Sequence, residues 1–442
     1  MMKQIKNLIV ILLLSLPCLL FSQKSDSSVI YEGHVVNDIN GDRDVAKSVI
    51  IQPDGKIVSA GISYNTENSE FALIRYQWDG SLDSTFGNNG IVTTDIGDGK
   101  WEGVNSITLQ PDGKILAAGE NTDDEINLVR YNPDGSVDGS FGNNGIVTTS
   151  LSGSVYGNSV VLQPNKKILI AGNQNKGDFM LIRYNNDGSL DYAFGNNGVA
   201  TTGFKAEGKR KMFNKVHCAK IQADGKIVVA GYSWNDSTAM NFTLLRYNND
   251  GSLDKSFGNN GIVIMDMYGN NDILSSMVLQ PDGKILAAGT SRWLRKNYDF
   301  LESELALIRL NTDGSLDESF GKNGIAGGGL PFSIEQIHSM ALRPGGRIIA
   351  AGNRTLYVRD NGDSSVVVRD PKPEFVVFHC NSDGSFDRTI HHDGHIAFNI
   401  DDKACVGNSV ALTANGRVVV VAGRRGKEES ADFVFFRYRI TQ

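Results

Sequence analysis

The chain has 442 residues, with 49 glycines, 10 prolines, four cysteines and a net charge of −7. Apolar residues make up 40% and charged residues 21%, a balance that favours a packed core and excludes global disorder. The acidic net charge argues against a nucleic-acid-binding protein, which needs a large basic face.

The first 23 residues have the pattern of an export signal. Lys3 and Lys6 precede an apolar run from Leu8 to Phe21. A run of about 14 apolar residues is too short for a membrane span, which needs about 20. We therefore predict a signal peptide at 1–23 and a mature chain at 24–442 that is secreted or held in the cell envelope, without a membrane span.

Three cysteines remain after this segment is removed, namely Cys218, Cys380 and Cys405. An odd number at unrelated positions of the sequence does not form the even pattern of a disulfide framework. We expect these three cysteines to be mostly buried, small apolar side chains, and a disulfide between two of them stays an open alternative.

One phrase recurs seven times along the chain. It reads QPDGKI at 52–57, 110–115 and 280–285, QPNKKI at 163–168, QADGKI at 222–227, RPGGRI at 343–348 and TANGRV at 413–418. An Ala-Gly pair follows every copy, and the first five copies continue through an apolar stretch to a turn of the type DGSLDxxFGxNG. A fixed period of 53 to 70 residues predicts a repeat architecture.

Each unit contains four short segments that are typical of β-strands. In the second unit, strand a is expected at 106–109, strand b at 114–118, strand c at 126–131 and strand d at 145–149. Asp-Gly and Asn-Gly turns between them favour antiparallel hairpins, and the turn between c and d is expected to bury its Phe. The small Ala-Gly pair of strand b is expected where the inner strands of neighbouring units approach each other.

Four-stranded units at this period indicate a β-propeller, with units beginning near residues 47, 105, 158, 217, 275, 338 and 408. The last unit lacks a strand d, whereas Gly33–Asp38 matches Gly90–Asp95 of the first unit. We therefore predict an all-β fold, a seven-bladed β-propeller of four-stranded antiparallel blades that is closed by the N-terminal strand 33–38. An open solenoid is the alternative, and it would leave both edge strands bare.

The repeated phrase, the Ala-Gly pair and the LxRYNxDGSLDxxFGxNG turn resemble the delta-60 repeat, a family of unknown function that is taken to form β-propellers. The resemblance extends from about Gly33 to Tyr438 and is clearest in the first five units. It implies exported or surface proteins, often bacterial, and it transfers no catalytic residue.

The connections between strands b and c and between strands d and a form what we call the variable face. They differ in length and sequence from unit to unit, as at 203–215, 232–241, 291–304, 353–374 and 424–431. The a–b and c–d connections, the repeat face, are nearly identical. Variation of this kind predicts a binding face. Its aromatic and basic candidates are Trp101, Trp234, Trp293, Tyr298, Tyr357, Lys209 and Arg210. The alternative is that each aromatic residue covers its own blade and that the basic segment is an exposed loop.

The first residue of each strand a is expected to face the upper end of a central channel. These residues are Lys47, Asn105, Asn158, His217, Ser275, His338 and Asn408. Six of the seven are Lys, Asn or His, so they predict a polar ring with ligand-binding capacity. Two histidines without a third ligand do not make a metal site.

Other clusters have simpler interpretations. His391–His395 is expected to be a polar turn, and the repeated N-x-D-G-x-x-D phrase a turn whose Asp pairs with the arginine of strand c. The acidic residues between Glu67 and Glu125 are expected to form a solvated surface. We predict no metal and no cofactor, and we find no catalytic motif.

These patterns predict an exported, non-catalytic and monomeric module that binds a glycan or a protein partner, or acts as a scaffold, through the variable face. The alternative is a carbohydrate-active enzyme, a glycoside hydrolase or lyase with its site at the channel mouth. A glycosidase needs two carboxyl groups about 5–10 Å apart. A purely structural envelope protein is a third possibility.

Overall fold

The fold is all-β and consists of repeated four-stranded antiparallel sheets. A computed structural model describes residues 29–65, 68–97, 101–175, 177–203, 214–235, 239–267, 271–295, 300–329, 333–356, 358–359, 366–367, 372–426 and 430–441. No helix in these ranges is both long enough and apolar enough to cross a membrane.

The sheets follow one another along the chain, and we number them 1 to 7. The N-terminal strand β1 (Val29–Asn37) belongs to sheet 7. Sheet 1 contains β2 (Asp44–Ile51), β3 (Ile57–Tyr64), β4 (Ser69–Tyr76) and β5 (Ile91–Thr94). Sheet 2 contains β6 (Glu102–Leu109), β7 (Ile115–Asn121), β8 (Ile126–Tyr131) and β9 (Ile146–Thr149). Sheet 3 contains β10 (Val155–Leu162), β11 (Ile168–Gln174), β12 (Asp178–Tyr184) and β13 (Val199–Thr202).

The remaining sheets repeat this order with longer strands. Sheet 4 contains β14 (Lys215–Ile221), β15 (Ile227–Asn235), β16 (Ala239–Tyr247) and β17 (Ile262–Met265). Sheet 5 contains β18 (Asn271–Leu279), β19 (Ile285–Arg295), β20 (Phe300–Leu310) and β21 (Ile325–Gly328). One parallel bridge, Ser303 to Ile334, joins it to sheet 6.

Sheet 6 contains β22 (Ser333–Leu342), β23 (Ile348–Leu356), β26 (Glu374–Cys380) and β27 (His395–Phe398). A 3₁₀ turn, Pro344–Gly346, links its first two strands, and the two-stranded ribbon β24 (Val358–Arg359) and β25 (Val366–Val367) lies between β23 and β26. Sheet 7 adds β28 (Cys405–Leu412), β29 (Val418–Arg425) and β30 (Asp432–Ile440) to β1.

The Ala-Gly pair has a different cause from the one predicted. Every strand a contains a β-bulge, which in sheet 1 shifts the pairing register between Ala46 and Ser48. Close to this bulge, a Cβ on Gly61 would lie 1.9 Å from the carbonyl oxygen of Val45. The glycine is therefore required by the approach of strand a within its own sheet, rather than by a neighbouring sheet.

A buried ion cluster recurs in sheets 1 to 5, as the repeated turn phrase predicts. In sheet 4, Arg246 Nε lies 2.7 Å from Asp254 Oδ2, Lys226 Nζ lies 2.9 Å from the same oxygen, and the guanidinium stacks 4.6 Å above the ring of Phe257. Arg246 also donates to the carbonyl oxygen of Thr312 in the turn of sheet 5. Each cluster therefore closes its own c–d turn and holds the next sheet.

A second set of contacts joins the sheets near their first strands. The residue after each bulge is Ser in six sheets, and its Oγ accepts the backbone N–H of the following sheet's strand a. Examples are Ile107 N–H to Ser48 at 3.3 Å and Val160 N–H to Ser106 at 3.2 Å. In sheet 4 this residue is Cys218, whose sulfur accepts the backbone N–H of Met277 in the same way.

Strand β1 pairs with β30 in the predicted register, with His34 opposite Phe436 and Asn37 opposite Phe433. The N-terminal segment also supplies the carboxylate that the c–d turn supplies elsewhere and the acceptor for the tyrosine hydroxyl that strand d supplies elsewhere. Glu32 Oε2 lies 2.9 Å from Arg437 Nε, and Tyr76 of sheet 1 donates to Asn37 Oδ1 at 2.7 Å.

Further contacts connect sheet 7 with sheet 1. The Val49 N–H donates to Ser409 Oγ at 3.2 Å, which continues the serine series, and Asn408 Nδ2 donates to the Ala46 carbonyl at 2.7 Å. The first and last sheets of the chain are thus in direct contact.

The predicted strand limits need two corrections. Strands a begin earlier than expected, because the residues on both sides of the bulge still pair with strand b, as Glu102 does with Asn121. Connections predicted as variable loops at 232–241 and 291–304 are largely extensions of the β15–β16 and β19–β20 hairpins.

Deleting Val29–Asn37 tests the contribution of strand β1. The deletion exposes the edge of β30 and leaves Arg437 without Glu32, so we expect the melting temperature to fall by about 10 °C or more. Asn37→Ala is the control, since losing one hydrogen bond costs about 1 kcal/mol. Superimposable melting curves for the deletion and the full mature chain would contradict this role.

Replacing Arg246 by Gln tests the ion cluster. The change leaves Asp254 buried with Lys226 alone, so the free energy of unfolding in urea should decrease by about 3 kcal/mol. The same replacement of Arg388, an exposed residue in a c–d turn, should change it by less than about 0.5 kcal/mol. Equal effects of the two replacements would show that the cluster is not stabilising.

Candidate functional site

The seven polar residues predicted at the start of strand a all lie at β-bulges. Register shifts place one such residue in each sheet: Lys47, Asn105, Asn158, His217, Ser275, His338 and Asn408. We call them the bulge residues. A bulge leaves its extra residue outside the strand pairing and redirects its side chain, so each sheet contributes one side chain that is free for other contacts.

The side chain of Asn105 binds both its own sheet and the neighbouring one, whereas that of His338 binds its own sheet. Asn105 Nδ2 donates to Glu120 Oε2 at 2.9 Å and to the Gly157 carbonyl at 3.1 Å. His338 Nε2 lies 2.9 Å from Asn353 Oδ1. These contacts fix the orientation of the amide and imidazole groups.

Electrostatic contacts bring residues of non-adjacent sheets together. Burial lowers the pKa of Lys47, and the positive charges of Lys215, Arg43 and Arg424 lower it further, whereas Glu120 opposes the shift. Lys47 and Lys215 belong to sheets 1 and 4, so they approach each other across the molecule rather than along one interface. Lys47, Lys215, His217 and His338, from sheets 1, 4 and 6, therefore lie near a common centre.

The two histidines at this centre are uncharged at neutral pH. Burial lowers the pKa of His217 to about 3, with Lys215 and His338 adding to the effect. Burial also lowers the pKa of His338, and Lys47, Arg292 and Arg424 contribute although Asn353 opposes them. Both imidazoles are hydrogen-bonding groups here rather than cations.

Three buried nitrogen atoms near the centre have no hydrogen-bond partner among the described residues. They are Asn158 Nδ2, His217 Nε2 and Arg292 Nε. A buried unpartnered polar atom is costly and commonly marks a place where water or a ligand binds.

The sequence interpretation missed the charged residues that accompany the bulge residues. Glu120 and Arg424 each follow the Ala-Gly pair of strand b, and Lys215 lies two residues before His217. The position after Ala-Gly carries six different residue types in the seven units, namely Ile62, Glu120, Asn173, Tyr232, Thr290, Asn353 and Arg424, whereas its surroundings are repeated. That contrast between a varying residue and repeated surroundings was the signal in the sequence that could have identified these charged residues.

The three tryptophans among the aromatic candidates lie in different surroundings. Trp101 is 53% exposed, and its ring lies 5.4 Å from that of Tyr64 on the variable face. Trp234 lies in strand β15 rather than in a loop, and its backbone N–H donates to Asn214 Oδ1 at 2.8 Å. Trp293 lies in β19, also a strand, and the position of its side chain is not described.

Four predicted site residues, Tyr298, Tyr357, Lys209 and Arg210, lie outside the described residues. They stay predictions.

Buried carboxylates hold the d–a connections of three sheets. Asp44 Oδ2 accepts the Ile39 N–H at 2.6 Å, and Asp272 Oδ2 accepts the Met267 N–H at 2.7 Å. Burial raises the pKa of each aspartate to about 6, against the effect of the backbone hydrogen bond. Glu102, with a pKa raised to about 7 by burial, holds the third connection. Part of the acidic series is thus buried, which corrects the expectation of a solvated surface.

The other clusters behave as turns or core residues. His391 and His392 have φ angles of 45° and 59° in a turn, and His395 begins strand β27. Across the described ranges, no group of three or more His, Cys, Asp or Glu side chains is arranged to hold a metal ion. Cys380 and Cys405 are buried, and all three described cysteines are unpaired.

Two clefts lie on the repeat face. One cleft, of about 730 Å³, is lined by Gln52, Lys56 and Arg75 of sheet 1 and by the turns of sheet 2. A smaller cleft, of about 460 Å³, is lined by the equivalent residues near Arg246. The charged groups in these clefts already pair with one another, as Lys56 and Arg75 do with Asp83 at 3.0 and 2.7 Å. The clefts therefore follow from the repeat and do not distinguish one unit as a site.

The comparisons with known proteins agree with a β-propeller architecture. Five segments, 52–86, 110–141, 163–194, 222–257 and 280–320, match the family described as "Domain of unknown function (DUF5122) beta-propeller". These segments cover less than half of the chain and show that it is similar to β-propeller repeats of unknown function. No curated protein matches the sequence.

Solved structures with similar folds have very different sequences. A protein of unknown function from Dyadobacter fermentans is 13% identical over 94% of this chain and 100% of its own, with a TM-score of 0.44. The polysaccharide lyase Uly1 is 8% identical over 90% of both chains, with a TM-score of 0.48. A chain of the mitotic checkpoint complex is 10% identical over 99% of this chain and 100% of its own, with a TM-score of 0.49. Similarity at this level says nothing about the ligand or the reaction.

The Asp272→Asn variant tests the buried carboxylates through pH. Between pH of about 4 and 6, the folded chain retains a proton on Asp272 that the unfolded chain has lost, so its contribution to stability decreases as the pH rises. The melting temperature of the variant relative to the parent should therefore increase by about 2 °C or more from pH 4 to pH 7. Glu318→Gln, at an exposed position, should show no such trend. A constant difference for Asp272→Asn would contradict a raised pKa.

Proposed function

We propose that the chain is an exported, seven-bladed propeller of the delta-60 type that binds a glycan or protein ligand at the axial end of its variable face. The bulge residues carry this proposal. One polar side chain per sheet is released from strand pairing, and side chains from non-adjacent sheets approach one centre. This is the arrangement in which several repeats can contact one ligand.

Ring closure is part of the proposal. The Tyr76 bond to Asn37 and the Val49 bond to Ser409 repeat, between sheets 7 and 1, contacts that join other neighbouring sheets. Tyr131, for example, donates to Thr94 at 2.9 Å, and Ile107 donates to Ser48 at 3.3 Å. An equivalent interface between the first and last sheets supports seven blades around one axis.

The two faces differ in their capacity for specific binding. On the repeat face, every cluster of Arg, Lys and Asp has an equivalent in other units, so a ligand would meet several equal sites. On the variable face, Trp101 has no equivalent in the other units, and the residues after the Ala-Gly pairs are of six types in seven units. A unique, partly aromatic surface favours selective recognition of a partner.

A carbohydrate-active enzyme is the alternative, and its requirement is chemical. Glu120 is a carboxylate on which the charges of Lys47 and Lys215 act at the centre, and burial raises its pKa. Catalysis by a pair of carboxyl groups requires a second one beside it. Product release from a panel of polysaccharides, lost in Glu120→Gln, would favour the enzyme over the binding module.

Screening the mature chain on a glycan array and in protein pull-downs tests the proposal, with Trp101→Ala as the site variant. Loss of an exposed aromatic contact should weaken binding of the captured ligand about tenfold. Tyr192→Ala is the matched control, because Tyr192 is 72% exposed in a c–d turn on the repeat face. Loss of binding in Tyr192→Ala, with retention in Trp101→Ala, would contradict the proposal, because the binding site would then lie on the repeat face.

A further inference from the structure

The proposed binding end has an excess of positive charge although the chain is acidic overall. The positive charges of Lys215, Arg43 and Arg424 act on Lys47 there, and the carboxylate of Glu120 opposes them. Within the described residues, no carboxylate lies within salt-bridge distance of Lys47. Charges brought together in a partly buried place repel one another, so the folded protein bears an electrostatic cost that a bound anion would relieve.

The unpartnered atoms at this centre have the same preference. Asn158 Nδ2 and Arg292 Nε are donors only, and the neutral ring of His217 presents Nε2 as a donor in one of its tautomers. Donors from sheets 3, 4 and 5 therefore lack acceptors. A ligand that supplies acceptor oxygens satisfies both the positive charge and these donors.

The surrounding groups suit a hydroxyl-rich ligand. Asn353 and Ser275 are neutral and carry both donors and acceptors, Asn105 retains its amide oxygen as an acceptor, and the ring of Tyr232 lies 5.8 Å from that of His217. Amides, hydroxyls and aromatic rings are the groups that contact sugar hydroxyls and sugar faces.

We infer that the axial end binds a saccharide that carries an oxyanion, either a carboxylate or a sulfate group, with Lys47 and Arg292 contacting the anion and Asn158 and His217 donating to its oxygens. This inference rests on the proposed function and specifies its ligand. The net charge of −7 disfavours nonspecific attraction of polyanions, so binding should depend on this one centre.

Isothermal titration of the mature chain with trigalacturonate, its neutral methyl ester, a sulfated trisaccharide and inorganic sulfate tests the inference at fixed ionic strength. One or both acidic trisaccharides should bind at least about tenfold more tightly than the ester and than inorganic sulfate. Comparison of the two acidic ligands distinguishes carboxylate from sulfate. Equal binding of the ester would overturn the inference.

Lys47→Gln and Arg292→Gln should each weaken binding of the preferred acidic trisaccharide about tenfold while the melting temperature is retained. Lys255→Gln removes the same charge from an exposed position in a c–d turn and should leave binding unchanged. Equal losses in all three variants would indicate nonspecific attraction and overturn the inference.

Two further outcomes separate this inference from the proposed function. If hexaglutamate binds more tightly than either acidic trisaccharide, a saccharide ligand is wrong although the axial end still binds. If no anion binds but the array or pull-down ligand is lost in Trp101→Ala, the anion site is wrong and the variable face remains the binding face.

Discussion

The arginine of strand c is the interaction on which the repeat depends. In sheet 3, Arg183 Nε lies 2.6 Å from Asp191 Oδ2, and the guanidinium lies 4.4 Å above the centre of the Phe194 ring. Its Nη1 donates to the Asn249 carbonyl of sheet 4. One guanidinium thus closes a turn, covers an aromatic ring and holds the next sheet. Because the pair is buried, either partner alone would be an uncompensated charge, which explains why the whole turn is repeated as a unit.

The last two sheets replace this interaction in different ways. In sheet 6, His379 stands at the arginine position, is buried, and lies 3.0 Å from the Tyr438 hydroxyl of sheet 7. Burial lowers its pKa to about 3, so a neutral hydrogen bond takes the place of an ion pair. In sheet 7, Arg437 remains but its carboxylate comes from Glu32 of strand β1. The N-terminal strand therefore provides an ionic partner as well as backbone pairing.

Local patterns predicted the strands, turns and the β1 register, because Asp-Gly turns, alternation and the arginine–aspartate spacing are properties of neighbouring residues. They did not predict the bulges, which arise from pairing between strands a and b and are visible only in a feature such as Gly61. The positions of the bulge residues followed from the repeat alignment. The approach of Lys47 to Lys215 did not, since it depends on contacts across the molecule. The burial of Asp272 was missed for the same reason, because an acidic residue before an apolar strand looks the same whether it is solvated or bound to a backbone N–H.

The division into two faces follows from where the stabilising interactions lie. The arginine clusters and Asp-Gly turns hold the sheets together on the repeat face, and the serine contacts such as Ser106 to Val160 hold them near the first strands. Connections on the variable face carry fewer of these shared contacts, so the β19–β20 hairpin can lengthen without disturbing its neighbours. The bulge residues lie between these two regions. The bulge is repeated in every sheet and requires Gly61 and its equivalents, whereas the released side chain differs in chemistry from sheet to sheet. A constant backbone that presents variable side chains to one centre is a physical basis for changing ligand chemistry without changing the fold.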